Sequence, residues 1–250
     1  MIPIGDDNTG NRIPAIVNIS LVIINVLVFV FLQGFGSNDN FTYTWAMVPQ
    51  EIVTGKDVVT PDRVEIDPST GQKVLVPGLR PTPISVYLTL LVSMFMHGGI
   101  AHIAGNMLFL WIFGDNVENA MGHFRYLIFY LITGIIASLA QVYATVAFGG
   151  DPLIPSLGAS GAISGVLGAY LLLYPRRRVR VFMFAFLTDV PAIIAIGIWF
   201  LYQVASGLGL LGGLDTGGVA YAAHVGGFIS GLLLARMFST RSNSSLYGGI

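Results

Sequence analysis

Residues 158–174 read GASGAISGVLGAYLLLY, and this stretch decides how the chain folds. It is almost wholly apolar and close to the length of a membrane-spanning helix. Three glycines, Gly161, Gly165 and Gly168, recur at helical spacing and leave one side of that helix smooth. Because small residues let membrane helices approach closely, the pattern predicts tight packing against a second smooth helix.

A matching smooth helix is encoded further along the chain. Residues 223–231 read AHVGGFISG, in which Gly227 and Gly231 are one helical turn apart. Packing of the two glycine faces would bring His224 of this helix to Ser160 of the first. The sequence therefore predicts a serine–histidine contact inside a bundle of membrane helices.

The composition is that of a polytopic membrane protein. Hydrophobic residues make up 54% of the 250 residues and charged residues only 10%, whereas soluble domains carry about 25% charged residues. The net charge of −1 leaves no basic face for phosphates, so the expected surroundings are the lipid bilayer and no nucleic acid. Cysteine is absent, which excludes disulfides, iron–sulfur clusters and thiol chemistry. No cofactor is expected.

Apolar runs of about 20 residues predict an all-α bundle of six membrane spans. A shorter apolar run, 85–97, is predicted to be an interfacial or re-entrant helix that ends at Gly98-Gly99. Residues 34–83 are predicted to form a long extramembrane loop with packing of its own. The spans are expected at 13–33, 101–119, 124–147 and 158–174, within 179–211, and at 219–237, with a loop at 207–218.

The fifth span has two possible starts. One is a helix from Val181 with a kink at Pro191. The other begins near Val190, with Thr188 or Asp189 as the N-cap and the proline in the first turn. We favour the second, because it places the aspartate at a membrane boundary instead of mid-membrane.

Outside the long loop, all the positive residues fall on one side of this bundle. They are Arg12, Arg125, Arg176, Arg177, Arg178, Arg180, Arg236 and Arg241. By the positive-inside rule that side is cytoplasmic. The sequence thus predicts a multi-pass protein of a bacterial-type plasma membrane. Residues 13–237 are expected to form one membrane domain, and residues 1–12 and 238–250 to be cytoplasmic tails.

This topology places four polar side chains at a common depth near the outer face. Ser160 opens the fourth span, and His224 lies near the outer end of the sixth. His102 and Asn106 lie in the outer part of the second span. At 1.5 Å per residue, all four are within roughly 10 Å of one another in depth. Ionisable groups in hydrocarbon are costly, so these residues are functional candidates.

A serine in contact with a histidine is typical of a nucleophile and its base. Gly158 and Gly161 flank Ser160 at a helix start, where free N–H groups favour developing negative charge. His102 and Asn106 share one helix face and can both donate to an oxyanion. Structural interpretations stay open beside these: a small serine for packing, and polar side chains that bond between helices.

A metal site is the rival use of His97, His102 and His224. Their spacing lacks the glutamate of a metalloprotease helix. Asp115 and Glu118 belong to the opposite end of the second span, so no carboxylate is expected at this depth. We therefore expect no metal, and a hydrolase would work with a serine–histidine dyad.

In three places the chain resembles the rhomboid family of intramembrane serine proteases. The matching pieces read HGGIAHIAGN at 97–106, GASG at 158–161 and AHVGGFISG at 223–231. They occur on spans two, four and six, in the order of the family. The resemblance covers the chain from about the interfacial helix to the end of the sixth span.

The resemblance implies a six-helix bundle with a water-filled cavity open to the outer side. Its substrates would be membrane-spanning proteins, cut near the outer end of their helices at a small residue. It implies that Ser160 is the nucleophile and His224 its base and acid. The oxyanion hole would be formed by the side chains of His102 and Asn106 with the backbone N–H of the serine. The supporting positions implied are His97, Gly158, Gly161 and Gly227.

The chain departs from the family in two places. Members often carry a tyrosine one turn after the nucleophile, where this chain has Ser164, and the Trp-Arg pair of the first loop is not evident. Three other functions are compatible with the pattern. They are a proteolytically silent rhomboid-like binder of membrane proteins, a histidine-liganded metal protein, and a transporter with a helix broken at 97–101.

Overall fold

The computed structural model describes residues 1–66, 71–183, 185–209 and 220–240. Most of the predicted loop at 207–218 and of the predicted tail at 238–250 lies outside these residues. Helices dominate the described part of the chain. Their bounds are α1 Ile16–Leu27, α2 Asp39–Trp45, α3 Pro49–Thr54, α4 Thr89–Val92, α5 Ile100–Met121, α6 His123–Ala147, α7 Ser160–Leu173, α8 Ala192–Gly207 and α9 Tyr221–Phe238.

The long helices coincide with the predicted spans to within a few residues. Helix α1 continues through a π-helical turn, Val28–Leu32. Among the described residues, α6 and α9 are each long and apolar enough to cross a membrane, and α5 is so when joined to the bent segment before it. The shorter apolar helices are α1 together with its π-helical turn, α7 and α8. The bundle is therefore that of an integral membrane protein.

The break at Gly98-Gly99 is sharp. The segment Val86–Phe95 lies at 80° to α5. It consists of α4 between two short 3₁₀ turns, Val86–Leu88 and Ser93–Phe95. The chain thus enters α5 from the side, as the predicted break requires.

The prediction of a helical membrane bundle is confirmed, but the fold is not all-α, because two small antiparallel sheets are also present. The strands are β1 Ile2–Asp6, β2 Arg63–Ile66, β3 Lys73–Val76, β4 Arg178–Met183 and β5 Phe186–Pro191. Strands β2 and β3 form a hairpin in the long loop, and β1, β4 and β5 form a sheet with β4 in the centre. We call the end of the bundle where this second sheet lies the sheet end.

Alternation explains why residues after α7 form a strand. Val179 and Val181 are fully buried, whereas Arg178 and Arg180 are exposed. This period of two is that of a strand with one face on a core. Residues 1–12, predicted to be a tail, supply the edge strand β1 that pairs with β4.

The fifth span follows the second of its two alternatives. A helix from Val181 is wrong, because α8 begins at Ala192, directly after Pro191. Asp189 caps no helix in the described structure. It lies on β5 and pairs with Arg180 on β4, with Nε and Oδ1 3.0 Å apart. The hairpin places this carboxylate outside the apolar helix.

Two carboxylates, the buried Glu118 and the half-buried Asp6, hold the N-terminal residues to the sheet end. Glu118 accepts hydrogen bonds from the backbone N–H groups of Val17 and Asn18, at 2.9 and 2.7 Å. This places a negative charge at the N-terminus of α1, where the helix dipole favours it. Asp6 accepts from the hydroxyl of Tyr170, and burial raises the pKa of this aspartate to about 6.

The long loop is packed against the segment that leads to Ser160. Met47 is 1% exposed. Its backbone N–H donates to the carbonyl of Ser156 at 3.1 Å, and the reverse bond measures 2.8 Å. The loop therefore fixes the approach of the chain to the start of α7.

Helices α7 and α9 touch backbone to backbone through glycine. A methyl group on Gly227 would lie 2.1 Å from the carbonyl oxygen of Gly161. A methyl group on Gly231 would lie 2.0 Å from the carbonyl oxygen of Gly165. These distances are far below van der Waals contact, so only glycine fits. The predicted glycine contact is confirmed.

Candidate active site

The glycine contact brings a hydroxyl to an imidazole. Ser160 is the first residue of α7, and His224 lies on the first turn of α9. The Oγ of the serine and the Nε2 of the histidine are 2.8 Å apart, which is hydrogen-bonding distance. The histidine is 9% exposed. The sequence-predicted pair is thus assembled and largely shielded from bulk water.

The turn before Ser160 requires glycine. Gly158 has φ of 127°, in the region that favours glycine, and a methyl group there would lie 3.0 Å from the His102 ring. Its N–H donates to the carbonyl of Ser93 at 2.9 Å. The conformation therefore lets the imidazole of α5 lie directly beside the start of α7.

One hydrogen bond of the His102 ring indicates which of its nitrogens carries the proton. Its Nδ1 accepts from the backbone N–H of Gly98 at 3.3 Å. A neutral ring that accepts at Nδ1 carries its proton on Nε2. That Nε2 is one of the atoms nearest Gly158, so a donor lies beside the start of α7.

A second donor is unused. The amide nitrogen of Asn106 is buried and has no hydrogen-bond partner among the described residues. Within them, no side chain caps the first turn of α7, which starts at Ser160. The N–H of Ile163 bonds to the carbonyl of Ala159, and the N–H groups that precede it in this turn are therefore also open to an acceptor. Unsatisfied buried donors are costly, and an acceptor in the cavity would satisfy them.

These groups line one cavity of about 790 Å³. Ser160, His224, His102 and Asn106 all contribute to its wall. The lining also includes Gly98, Ser156 and Gln203. The cavity is large enough for a short extended peptide segment and for water.

His97 is not in the lining of this cavity. Its ring is fully buried and meets the His102 ring edge to face, with centroids 5.2 Å apart. Its backbone is held by the amide of Gln33, which accepts from the His97 N–H at 2.8 Å and donates to its carbonyl at 3.0 Å. The contact of Gln33 with His97 was not predicted from the sequence. The feature that could have indicated it is that this amide stands at the end of an apolar run.

Ser164 occupies the position where the family often has a tyrosine, and the aromatic contacts of His224 come from other positions. Ser164 is fully buried and donates to the carbonyl of Ser160 at 2.6 Å, so it is no second nucleophile in this cavity. The rings of Trp199 and Tyr221 flank His224, with centroids 6.1 and 6.4 Å from its own. Aromatic rings from α8 and from the start of α9 itself therefore flank the histidine.

One polar contact of His224 was missed from the sequence. The Oε1 of Gln203, on α8, lies 2.7 Å from its Nδ1. Gln203 is a lone amide in an apolar helix, which is the signal that could have found it. The direction of its side chain depends on where α8 begins, and that point had two alternatives.

Among the described residues, no three histidine or carboxylate side chains are close enough together to hold a metal ion.

Comparison with known proteins identifies the family. A family model described as the Rhomboid domain matches residues 85–241, which is more than half of the chain. The chain is 38% identical over 146 residues to "Rhomboid protease GluP" of Bacillus subtilis. It is 33% identical over 151 residues to "Rhomboid protein 1, mitochondrial" of Saccharomyces cerevisiae. It is 30% identical over 150 residues to "Presenilin-associated rhomboid-like protein, mitochondrial" of Homo sapiens.

These similarities cover a part of each protein. The alignments take in 58%, 58% and 57% of this chain, in the order given. They cover 25%, 40% and 36% of the relatives. This chain therefore spans less than half the length of each relative. The residues that the family model matches include the whole lining of the cavity.

Proposed function

Because the chain belongs to the rhomboid family, we propose that it is an intramembrane serine endopeptidase that cleaves membrane-spanning protein substrates. The observation that carries the proposal is the hydrogen bond of 2.8 Å between Ser160 Oγ and His224 Nε2 in a cavity with unused donors. Such a pair is the arrangement of an activated nucleophile.

In the proposed reaction, Ser160 Oγ forms a bond to the scissile carbonyl carbon while His224 Nε2 takes its proton. The negative charge on the carbonyl oxygen is stabilised by His102 Nε2–H, the Asn106 amide and the first N–H of α7. Collapse breaks the C–N bond, and the imidazolium returns the proton to the leaving amine. Water then hydrolyses the acyl-enzyme with the same histidine as base.

The length of α7 supports a reaction below the membrane surface. Its 14 residues span about 21 Å, against about 30 Å of hydrocarbon. If its other end lies at the membrane boundary, Ser160 is within the bilayer. The polar-lined cavity would supply the water that hydrolysis needs.

The proposed orientation has both termini and the sheet end in the cytoplasm, and the cavity toward the outer side. The arginines of the sheet end, Arg177, Arg178 and Arg180, support it. We keep the six-span count and a bacterial-type plasma membrane as parts of this proposal. Cleavage would then fall near the outer end of the substrate helix.

The test of this function is incubation of the purified protein with a single-span test substrate whose helix contains small residues near one end. Mass spectrometry of the products locates the cleaved bond. Cleavage inside the helix near its outer end is expected. An intact substrate, from a folded protein that also fails to react with a fluorophosphonate, would favour the alternative of a proteolytically silent binder.

The amide of Asn106 is expected to contribute to rate more than to binding. Asn106→Ala should lower kcat by about 10²–10³-fold, because one oxyanion donor is lost. KM should change little, because the carbonyl oxygen carries less negative charge in the ground state and is stabilised less by this donor. Steady-state cleavage of the test substrate measures both constants. A variant with wild-type kcat would remove Asn106 from the proposed oxyanion hole.

We propose that substrates enter between α5 and α8. A second cavity, of about 420 Å³, lies there and shares Phe109, Leu167, Trp199 and Gln203 with the first. The rings of Phe109 and Trp199 are the visible contact between these helices, with centroids 6.3 Å apart. If α8 separated from α5 at this contact, the cavity would open toward the lipid.

Closing this contact chemically should block cleavage. The chain has no cysteine, so Phe109→Cys with Trp199→Cys provides a unique pair for a short bis-methanethiosulfonate cross-linker, which joins them through reducible disulfides. Cross-linked protein is expected to lose cleavage of the membrane substrate and to regain it after reduction. The same double variant before cross-linking is the control. Equal cleavage by the cross-linked and reduced forms would contradict this route.

A further inference from the structure

Gln203 is a buried amide in a helix that is otherwise apolar. It is 6% exposed, and its Oε1 lies 2.7 Å from Nδ1 of His224. An amide taken from water into an apolar setting is unfavourable unless it is hydrogen-bonded. The imidazole is the partner that the structure gives to its oxygen.

The two ring nitrogens of His224 have complementary tasks. Nε2 lies 2.8 Å from the hydroxyl of Ser160, and it can accept the serine proton only if it carries none. The neutral ring must then carry its proton on Nδ1. Among the described residues, the acceptor placed for that proton is the Gln203 oxygen. A carboxylate holds the corresponding proton in serine proteases that use a triad.

We propose that Gln203 is the positioning residue of the histidine: it accepts the Nδ1–H bond, and so fixes the tautomer and the ring angle with which His224 faces Ser160. This inference rests on the proposed proteolytic function. It adds a third, uncharged member to the pair. Gln203 lies on α8, so His224 is held in this orientation only while α8 is packed against α9. The same helix bounds the proposed substrate route.

A purely structural amide, bonding α8 to α9, is the competing explanation. The two explanations differ in what Gln203→Leu does. Loss of a structural bond lowers stability and leaves the tautomer of the remaining active molecules unchanged. Loss of a positioning bond lets the proton move to Nε2, where it blocks general-base action.

The first measurement determines the tautomer of His224 directly. ¹⁵N NMR of histidine-labelled protein in detergent reports which ring nitrogen carries the proton, and His224→Asn assigns the signals. The proposal expects protonation on Nδ1 in the wild type and a gain of the Nε2–H form in Gln203→Leu. Wild-type protein with its proton on Nε2 would overturn the proposal, whatever its activity.

The second measurement is kinetic. Gln203→Leu should lower kcat about 10- to 100-fold, the effect expected when a buried donor loses its partner, with KM nearly unchanged. Gln203→Glu keeps an acceptor at the same reach and should recover most of the rate. Gln141→Leu is the matched control, because its Oε1 accepts from the backbone N–H of Ala223 at 3.3 Å and leaves the His224 ring alone.

The outcomes separate the two claims. An active wild type with unaltered kcat and tautomer in Gln203→Leu overturns the positioning role and leaves the protease intact. An equal fall of kcat in the Leu and Glu variants also overturns it. A wild type that neither cleaves nor reacts with a fluorophosphonate overturns the proposed function, and the positioning role with it.

Discussion

Ser160→Ala is expected to abolish cleavage of a membrane-spanning substrate, with a fall in kcat of about 10⁴-fold or more. The reason is that the variant removes the only atom that forms the covalent bond in the proposed reaction. The histidine, the donors and the cavity stay in place. Substrate binding should therefore persist, and can be measured by co-purification with the uncleaved substrate.

Ser164→Ala is the matched control for this loss. It removes a hydroxyl one helical turn away that donates to the carbonyl of Ser160 and is fully buried. The control should keep most of the wild-type cleavage. Equal loss in both variants would mean that helix α7 has been disturbed and not that a nucleophile has been removed.

Gly231→Val is expected to disrupt the bundle. The Cβ atom of the valine would lie 2.0 Å from the carbonyl oxygen of Gly165, which is backbone and cannot rotate away. Overpacking typically costs about 1–3 kcal/mol, and a backbone clash belongs at or above the top of that range. A loss of about 3 kcal/mol lowers the unfolding midpoint by about 6–12 °C for a chain of this size.

The same variant should lose cleavage, because separation of α7 and α9 pulls His224 from Ser160. Gly197→Ala is the control, since nothing lies within 4 Å of a methyl group there. Alanine is also the better helix former. Its unfolding midpoint should match or exceed that of the wild type. A Gly231→Val protein as stable as Gly197→Ala would contradict the glycine contact.

The parts of the fold that follow local rules were predictable. Apolar runs gave the helices within a few residues, and Gly98-Gly99 gave the break before α5. The glycines on α7 and α9 predicted their contact, because only small residues permit such an approach. His102, Asn106, Ser160 and His224 followed from their shared depth. The orientation of the bundle in the membrane stays a prediction.

The parts that depend on distant partners were missed. Strand β1 has little pattern of its own and exists because β4, more than 170 residues later, offers it an edge. The arginines of β4 were interpreted as a signal of membrane orientation, and the alternation of its valines was overlooked. Gln203 and Gln33 carry amides whose partners are set by helix phase and loop closure. Neither can be read from spacing alone.

The measurement that tests the central claim most directly is covalent labelling by a fluorophosphonate, mapped by mass spectrometry. The account predicts one adduct, on Ser160, that is lost in His224→Ala while the fold is kept. Labelling of another residue, or of Ser160 with equal rate in the histidine variant, would contradict the pairing of this hydroxyl with this imidazole.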